Sequence, residues 1–192
     1  MQINTNTRSV ESAGLVHTQA NFKSTDITHI FQLLSTNLYS DPILAVVREL
    51  GANAADAHTT AGDTSKPFDI HLPTSLEPFF SVRDYGNGLS HDFMMNEYTD
   101  IGYSDKRQSN AAIGGFGIGR LSAFSYTDAY SVTSIQQNRK RLYSVHIGPT
   151  ETPVVVQLGD TSYTDEPDGL TVEIPIKTED FHKFQSKASG VF

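Results

Sequence analysis

The strongest pattern of hydrophobic and polar positions in the chain lies between Asp41 and Asp63. At about 100° per residue, the apolar residues of this stretch fill an arc of roughly 100° on one side of a helix. These apolar residues are Ile43, Val46, Val47, Leu50, Ala54 and Ala57. Asp41 is a residue type that caps free backbone N–H groups, and Pro42 suits the first helical position. The pattern therefore predicts a helix over about 42–60, ended by residues 61–63.

A second face of the same predicted helix carries three polar residues in a line. Glu49, Asn53 and Asp56 are spaced i, i+4 and i+7, and they fall within an arc of roughly 60°. A carboxylate such as Glu49 can orient or deprotonate a water molecule, and the side-chain oxygen of Asn53 is a hard ligand for Mg²⁺. Alternatively, the line is only the solvated face of an amphipathic helix. These residues by themselves leave both interpretations open.

Shorter patterns predict further helices and a set of strands. The other predicted helices lie at about 26–38, 91–97 and 178–187. The predicted strands lie at about 12–22, 68–72, 79–83, 129–135, 141–147, 153–158 and 170–176. Residues 136–140 form the predicted tip of a hairpin. Because helices cluster early and strands late, we expect one α+β domain over residues 1–192, with a sheet that carries helices on one face.

Two glycine-rich segments follow the helix. Asp84-Tyr85-Gly86-Asn87-Gly88 comes directly after a predicted strand and indicates a tight turn that needs positive φ. Residues 114–119 lead into a short helix at Leu121–Phe124, and free N–H groups at such a start can hold an anion. A dinucleotide-binding fold does not fit, because no strong strand precedes this run and no βαβ unit follows it. Taken singly, either segment is no more than a turn.

Composition narrows the classes of function. The chain has 192 residues, of which 38% are hydrophobic, so it can form one domain with a sizeable core. Its formal net charge of -8 and its pI of about 5.2 disfavour binding to nucleic acid or to an anionic membrane. Without cysteine there is neither a disulfide framework nor a thiolate metal site.

Targeting signals are not evident in the sequence. No apolar run approaches the roughly 20 residues of a membrane span, and the polar start at residues 1–6 is unlike a signal peptide. We therefore expect a cytoplasmic location.

Four motifs stand in a fixed order, and the ordered set is more specific than any one of them. They are Glu49-x3-Asn53-x2-Asp56, Asp84-x-Gly86-x-Gly88, Gly115-x-Gly117-x-Gly119 and residues 169–174. The set resembles the N box and three G boxes of the GHKL ATPases, which include gyrase-type topoisomerases, ninety-kilodalton heat-shock chaperones, sensor histidine kinases and MutL. The resemblance covers nearly the whole chain. It implies the Bergerat fold, a two-layer α/β sandwich with a mixed, mostly antiparallel sheet and helices on one face.

Several segments are similar, more narrowly, to the RIIA lysis-inhibition proteins of tailed phages. These segments are residues 45–50, 55–58, 83–86, 114–119, 124–128, 172–177 and 179–181. RIIA proteins are several times longer than this chain, so the resemblance implies an N-terminal part of a longer protein or a short relative. It also implies a role in lysis timing and in countering exclusion systems. The implied location is the host bacterial cytoplasm, peripherally at the inner membrane, with an RIIB-like protein partner.

The GHKL resemblance implies roles for individual residues. Asp84 would accept the adenine amino group, with Thr171 supporting it directly or through a water, while Gly88 lets the backbone approach the base. Asn53 would hold Mg²⁺ against the phosphates of ATP, and Glu49 would position the attacking water. The remaining nucleotide-binding positions that the motifs imply are Asp56, Gly86, Gly115, Phe116, Gly117, Ile118 and Gly119.

The GHKL resemblance also implies a mobile lid, and the chain departs from the family pattern in two respects. Residues 97–119 would be the lid that closes over ATP. Leu170 stands where many relatives have Thr. No activating lysine from a following domain can be identified in the sequence.

Three functions compete. The first is a Mg²⁺-dependent ATPase whose turnover drives lid closure and homodimerisation. The second is a nucleotide-gated interaction module that binds ATP with little or no turnover. Glu49 favours the first, because a pure binder would not need it. A plain structural domain leaves four ordered motifs unexplained, and a sensor kinase would not use a glutamate at this position. No nucleic-acid partner is expected.

Overall fold

The computed structural model of the chain describes residues 16–21, 40–99, 119–149 and 152–192. The predicted helix at 26–38 lies outside these ranges, as do residues 100–118 of the predicted lid. The helices are α1 (Pro42–Ala61), α2 (His91–Asn96) and α3 (Phe181–Val191), with 3₁₀ helices at Gly119–Ser125 and Thr178–Asp180. The strands are β1 (Val16–Asn21), β2 (Asp69–His71), β3 (Phe79–Arg83), β4 (Ala129–Gln136), β5 (Arg139–Ile147), β6 (Pro153–Tyr163) and β7 (Gly169–Pro175).

Helix α1 begins and ends where local sequence signals place its caps. The Asp41 side chain accepts a hydrogen bond from the Leu44 N–H at 3.0 Å, and Pro42 occupies the first turn, where its missing N–H removes no helical bond. At the other end Gly62 adopts the left-handed conformation with φ of 79°, which terminates the helix. The helix predicted over about 42–60 is therefore confirmed.

A seven-stranded sheet with the order β1-β6-β5-β4-β7-β3-β2 forms one layer. Every strand pairing within the described ranges is antiparallel. The α+β class is thus confirmed, whereas the parallel pairing that a mixed sheet requires does not occur in this part of the chain. Strand β7 lies between β3 and β4, so the fourth motif pairs with the strand that precedes Asp84.

The core lies between the helices and one face of the sheet. Strand alternation sends Phe80 and Val132 to the same side, where they join Val46 of α1 and Phe184 of α3 in one buried cluster. The opposite face carries a cross-strand row of polar residues. This row is Ser81, Glu173, Ser131 and Ser144. The prediction that the sheet carries helices on one face agrees with this burial pattern.

Several elements differ in detail from the sequence prediction, and β6 continues from its predicted end at 158 to Tyr163. The hairpin tip is only Gln137 and Asn138, whose φ angles of 51° and 61° are those of a two-residue turn, so the ladder extends to Gln136 and Arg139. The predicted short helix after the glycine run is a 3₁₀ helix. The terminal helix begins at Phe181 and is preceded by a 3₁₀ turn.

Helix α3 packs across α1. Ala188 is buried in the shared core, and Lys187 forms an ion pair of 2.6 Å with Asp41. The Phe192 ring covers Gly51, where an added Cβ would collide with it. No helix in the described ranges combines the length and the apolar character needed to cross a membrane.

Candidate functional site

The Asp84 carboxylate lies at the end of β3, held by backbone N–H groups of its own turn and of β7. Its Oδ1 accepts the Gly86 N–H at 2.9 Å and the Leu170 N–H at 3.1 Å. The Asp84 N–H in turn donates to the Leu170 carbonyl at 2.9 Å, so β7 fixes both the backbone and the side chain. Oδ2 has no hydrogen-bond partner among the residues that the structure describes. This oxygen remains available to a ligand.

Burial makes this carboxylate unusual. Asp84 is only 7% exposed. Burial raises the pKa of its carboxyl group above the ordinary value, and the N–H groups of Gly86 and Leu170 offset only part of that rise. An ionised, buried carboxylate with an unpartnered oxygen is costly to the fold, and such groups concentrate at functional sites.

His58 locks the turn that follows Asp84 onto helix α1. The Tyr85 N–H donates to Nε2 of His58 at 2.8 Å, and Nδ1 donates to the Lys66 carbonyl at 2.8 Å. A backbone N–H can only donate and a carbonyl can only accept, so these two bonds assign the neutral Nδ1–H tautomer. His58 is 3% exposed. It therefore joins the end of α1, the following loop and the Asp84 turn.

The two glycines of the turn meet neighbouring backbone. A Cβ at Gly86 would lie 3.0 Å from the Ala57 carbonyl oxygen of α1. Gly88 has φ of 62°, and a Cβ there would collide with the Ile135 carbonyl. Positive φ is thus confirmed at Gly88, whereas Gly86 serves close packing against the helix. Gly88 is required by the fold around Asp84, whatever ligand the site binds, and a side chain at Gly86 would press on α1.

Leu170, and not Thr171, is the β7 residue that meets Asp84. Alternation along the strand puts Thr171 on the opposite face of the sheet, where its hydroxyl accepts from Nη1 of Arg83 at 3.2 Å. The direct support expected from Thr171 is supplied by the backbone N–H of Leu170. A backbone donor does not depend on the side chain, so an apolar residue is compatible with the site at this position.

The polar line of α1 runs beside this turn. Glu49 and Asn53 are half-buried, and Asp56 is 7% exposed. The Asn53 amide makes no hydrogen bond within the described ranges, so its oxygen can take a ligand. The Glu49 carboxylate lies against Gly119, where a Cβ would collide with Oε2. Gly119 is therefore a glycine because the carboxylate occupies the space of a side chain.

The turn and Gly119 contact α1 at points about two turns apart. Gly86 packs on Ala57, and Gly119 packs on Glu49, eight residues earlier in α1. That interval is roughly 12 Å along the helix axis, with Asn53 midway. The remaining positions of the predicted phosphate cradle, at 115–118, lie outside the described residues. Along the axis of α1, Asn53 thus lies between the contact of Gly86 from the Asp84 turn and the contact of Gly119 with Glu49.

A metal site made by the protein alone is not present in the described part of the chain, since no group of three His, Asp or Glu side chains there could hold an ion. Mg²⁺ commonly takes one or two protein oxygens and fills its other positions with waters and phosphate oxygens. The single oxygen of Asn53 fits that mode of binding.

Two groups that hold the Asp84 turn were not predicted from the sequence. His58 lies at i+4 from Ala54 and i+8 from Leu50, on the buried stripe of α1, and a polar residue there needs buried partners. A histidine on a buried helix face could therefore have been predicted from the sequence to hold neighbouring groups by hydrogen bonds. The second is the Leu170 N–H, for which sequence offers no signal, because any residue but proline would supply it.

Searches against models of known protein families and against curated proteins found no match to this chain. The resemblance to GHKL ATPases therefore depends on the order of the four sequence motifs.

Proposed function

We propose that this chain is a GHKL-type domain that binds ATP and hydrolyses it with Mg²⁺. The observation that carries the proposal is the Asp84 carboxylate, which is buried and fixed through Oδ1 while Oδ2 has no partner in the described ranges. Such an oxygen can accept a hydrogen bond from the amino group of adenine. Once a ligand has excluded water, a fixed acceptor also disfavours ligands that lack a donor, because its oxygen would then stay unpaired.

The arrangement along α1 supports a triphosphate in this site. The adenine anchor lies at the Ala57 end and Glu49 at the other, which suits an extended nucleotide lying along the helix. Asn53 would hold Mg²⁺, and the ion would supply positive charge where the protein itself offers carboxylates. Glu49 would position the attacking water. Phosphoryl transfer needs mainly positioning and charge stabilisation, so few side chains suffice.

Glu49 favours hydrolysis over the alternative of a nucleotide-gated interaction module with little turnover. Its carboxylate occupies the side-chain space of Gly119, the last glycine of the predicted phosphate-binding motif. A domain that only bound ATP would not need a carboxylate there. By the RIIA resemblance, the proposal extends to ATP-dependent homodimerisation and to lysis inhibition with an RIIB-like partner.

The adenine anchor is tested by calorimetric titration with ATP and Mg²⁺. Asp84→Asn should lower the affinity roughly ten- to a hundredfold, since it removes a charge-assisted hydrogen bond worth about 1.5–3 kcal/mol. Asp63→Asn is the matched control, because Asp63 is an exposed aspartate just beyond α1 and should keep the parent affinity. Unchanged affinity of the Asp84 variant would show that Asp84 does not hold the base.

Hydrolysis is tested by phosphate release. Glu49→Ala should keep ATP affinity within a few-fold and lose turnover, because it removes an interaction made in the transition state. Asn53→Ala should instead weaken the Mg²⁺-dependent part of binding. If the parent chain binds ATP but releases no phosphate above the Glu49→Ala level, the interaction module is the correct function.

A further inference from the structure

A polar cavity of about 300 Å³ lies between the β4–β5 hairpin and the start of α2. Its lining includes Ser90, His91, Asp92, Gln136, Arg139 and Arg141. None of these residues belongs to the proposed nucleotide site. Ligand pockets for small molecules begin at about this volume, and a few convergent polar groups give them specificity.

Two guanidinium groups form one wall of the cavity. Arg139 and Arg141 are two residues apart on β5, so their side chains leave the same face of the strand. Nε of Arg141 donates to the Thr161 hydroxyl at 3.2 Å, which orients its guanidinium. The Arg139 side chain has no hydrogen-bond or ion-pair partner among the described residues. In contrast, the intervening Lys140 is neutralised by Glu166 at 2.7 Å.

The other wall carries hydrogen-bonding groups of mixed type. The His91 ring stacks on Tyr143 with an interplanar angle of 23°, and its Nδ1 lies 3.3 Å from the Tyr143 hydroxyl. Burial raises the pKa of Tyr143 to about 12, so its hydroxyl stays protonated at neutral pH. Asp92 brings the one carboxylate of the lining, and it has no partner in the described ranges. The cavity therefore holds two cations against one anion, and of the two only Arg141 is oriented by a hydrogen bond.

We propose that this cavity binds a small phosphorylated metabolite. The guanidiniums of Arg139 and Arg141 would hold its phosphate, because their planar forks match phosphate oxygens and remain charged at any physiological pH. The Asp92 carboxylate and the Gln136 amide would accept and donate hydrogen bonds to the hydroxyl groups of the ligand. A bare phosphate would leave much of the volume to water, so a ligand with a hydroxylated organic part that Asp92 and Gln136 can bind suits the cavity better.

Nucleic acid does not suit this cavity. Two guanidiniums in a chain of net charge -8 give no extended basic surface to follow a phosphate backbone. The cavity also differs from the proposed ATP site, because its lining contributes nothing to Asp84, Asn53 or Glu49.

The test uses the full 192-residue chain and ribose 5-phosphate as the probe. This probe has a phosphate and hydroxyls but no base, so it cannot use an adenine anchor. Calorimetric titration at low salt should show saturable binding, at least about tenfold tighter than for inorganic phosphate. Arg139→Gln and Arg141→Gln should each lower the affinity roughly ten- to a hundredfold.

Matched variants make the result specific. Lys140→Gln removes the same charge from the next residue and should stay within about threefold of the parent. Asp84→Asn should leave the binding of ribose 5-phosphate unchanged, so failure here and failure of the ATP proposal can be told apart. The inference is overturned by no saturable binding, by equal affinity for inorganic phosphate, or by a loss in Lys140→Gln that equals the loss in Arg139→Gln.

Discussion

Two aspartates beside helix α1 accept backbone N–H hydrogen bonds, yet they affect the fold in opposite ways. At the start of the helix, Asp41 accepts from Leu44 through Oδ1 and pairs with Lys187 through Oδ2. After β3, Asp84 accepts two N–H bonds through Oδ1 and leaves Oδ2 without a partner in the described ranges. Within the described ranges the protein pairs both oxygens of the first carboxylate but only one oxygen of the second.

Their ionisation follows the same difference. The hydrogen bond from Lys187 is the main cause that lowers the pKa of Asp41, while burial raises that of Asp84. Asp41 therefore contributes stability that is present above its unfolded pKa of about 3.8 and is lost as the pH falls through its lowered folded pKa. For Asp84 the stability is present below that value and is lost as the pH rises through its raised folded pKa. Burial of Asp84 therefore costs the fold stability at a pH above its raised pKa, where the carboxyl group is ionised.

The largest change in the free energy of unfolding should come from removing the His58 side chain, which holds the Asp84 turn to α1. His58→Ala leaves the Tyr85 N–H and the Lys66 carbonyl without their partner and opens a cavity, which should lower the free energy of unfolding by about 2–4 kcal/mol. Chemical denaturation measures this loss. His182→Ala, on the exposed side of α3, is the control and should stay within about 0.5 kcal/mol of the parent. Equal effects of the two substitutions would contradict the role of His58.

A smaller loss is expected at the helix cap. Asp41→Ala removes an N-cap and should cost about 1 kcal/mol. Asp41→Asn keeps the capping oxygen and should lose only the ion pair, roughly 0.2–1 kcal/mol. Both variants should bind ATP like the parent, which separates this aspartate from Asp84. A cap variant that loses ATP affinity while still folded would remove the distinction.

Asp84→Asn should raise the free energy of unfolding, by less than His58→Ala or Asp41→Ala lowers it. Asparagine retains an oxygen for the N–H groups of Gly86 and Leu170 but removes the buried charge, so the variant should be more stable than the parent at neutral pH. The gain should shrink as the pH falls through the raised pKa and vanish once the parent carboxyl is protonated. Denaturation at a series of pH values measures it. A less stable variant at neutral pH would mean that ionised Asp84 stabilises the fold.

The smallest effect concerns Lys187. Its pair with Asp41 is partly exposed, so Lys187→Ala should cost only a few tenths of a kcal/mol at neutral pH. The difference from the parent should disappear as Asp41 becomes protonated, and it should weaken in high salt. A difference that persists in acid would assign the effect to packing of the lysine stem on the helix.

Sequence by itself determined the features that depend on neighbouring residues. Asp41, Pro42 and Gly62 set the ends of α1, because capping and left-handed termination are local. Alternation of apolar residues located the strands from β2 to β7 within a few residues. The Asp84–Gly88 turn followed from its glycines. The polar line of Glu49, Asn53 and Asp56 was equally readable, since helical spacing alone puts these residues on one face.

Only the tertiary structure decided which groups meet across the chain. Pairing of β7 with β3 brought the Leu170 N–H to Asp84 and turned Thr171 to Arg83, and a shift of one residue would have reversed the two faces. His58 reached Tyr85 across 27 residues. Sequence patterns record the period of each element but not the register between elements, because register depends on how the whole core packs.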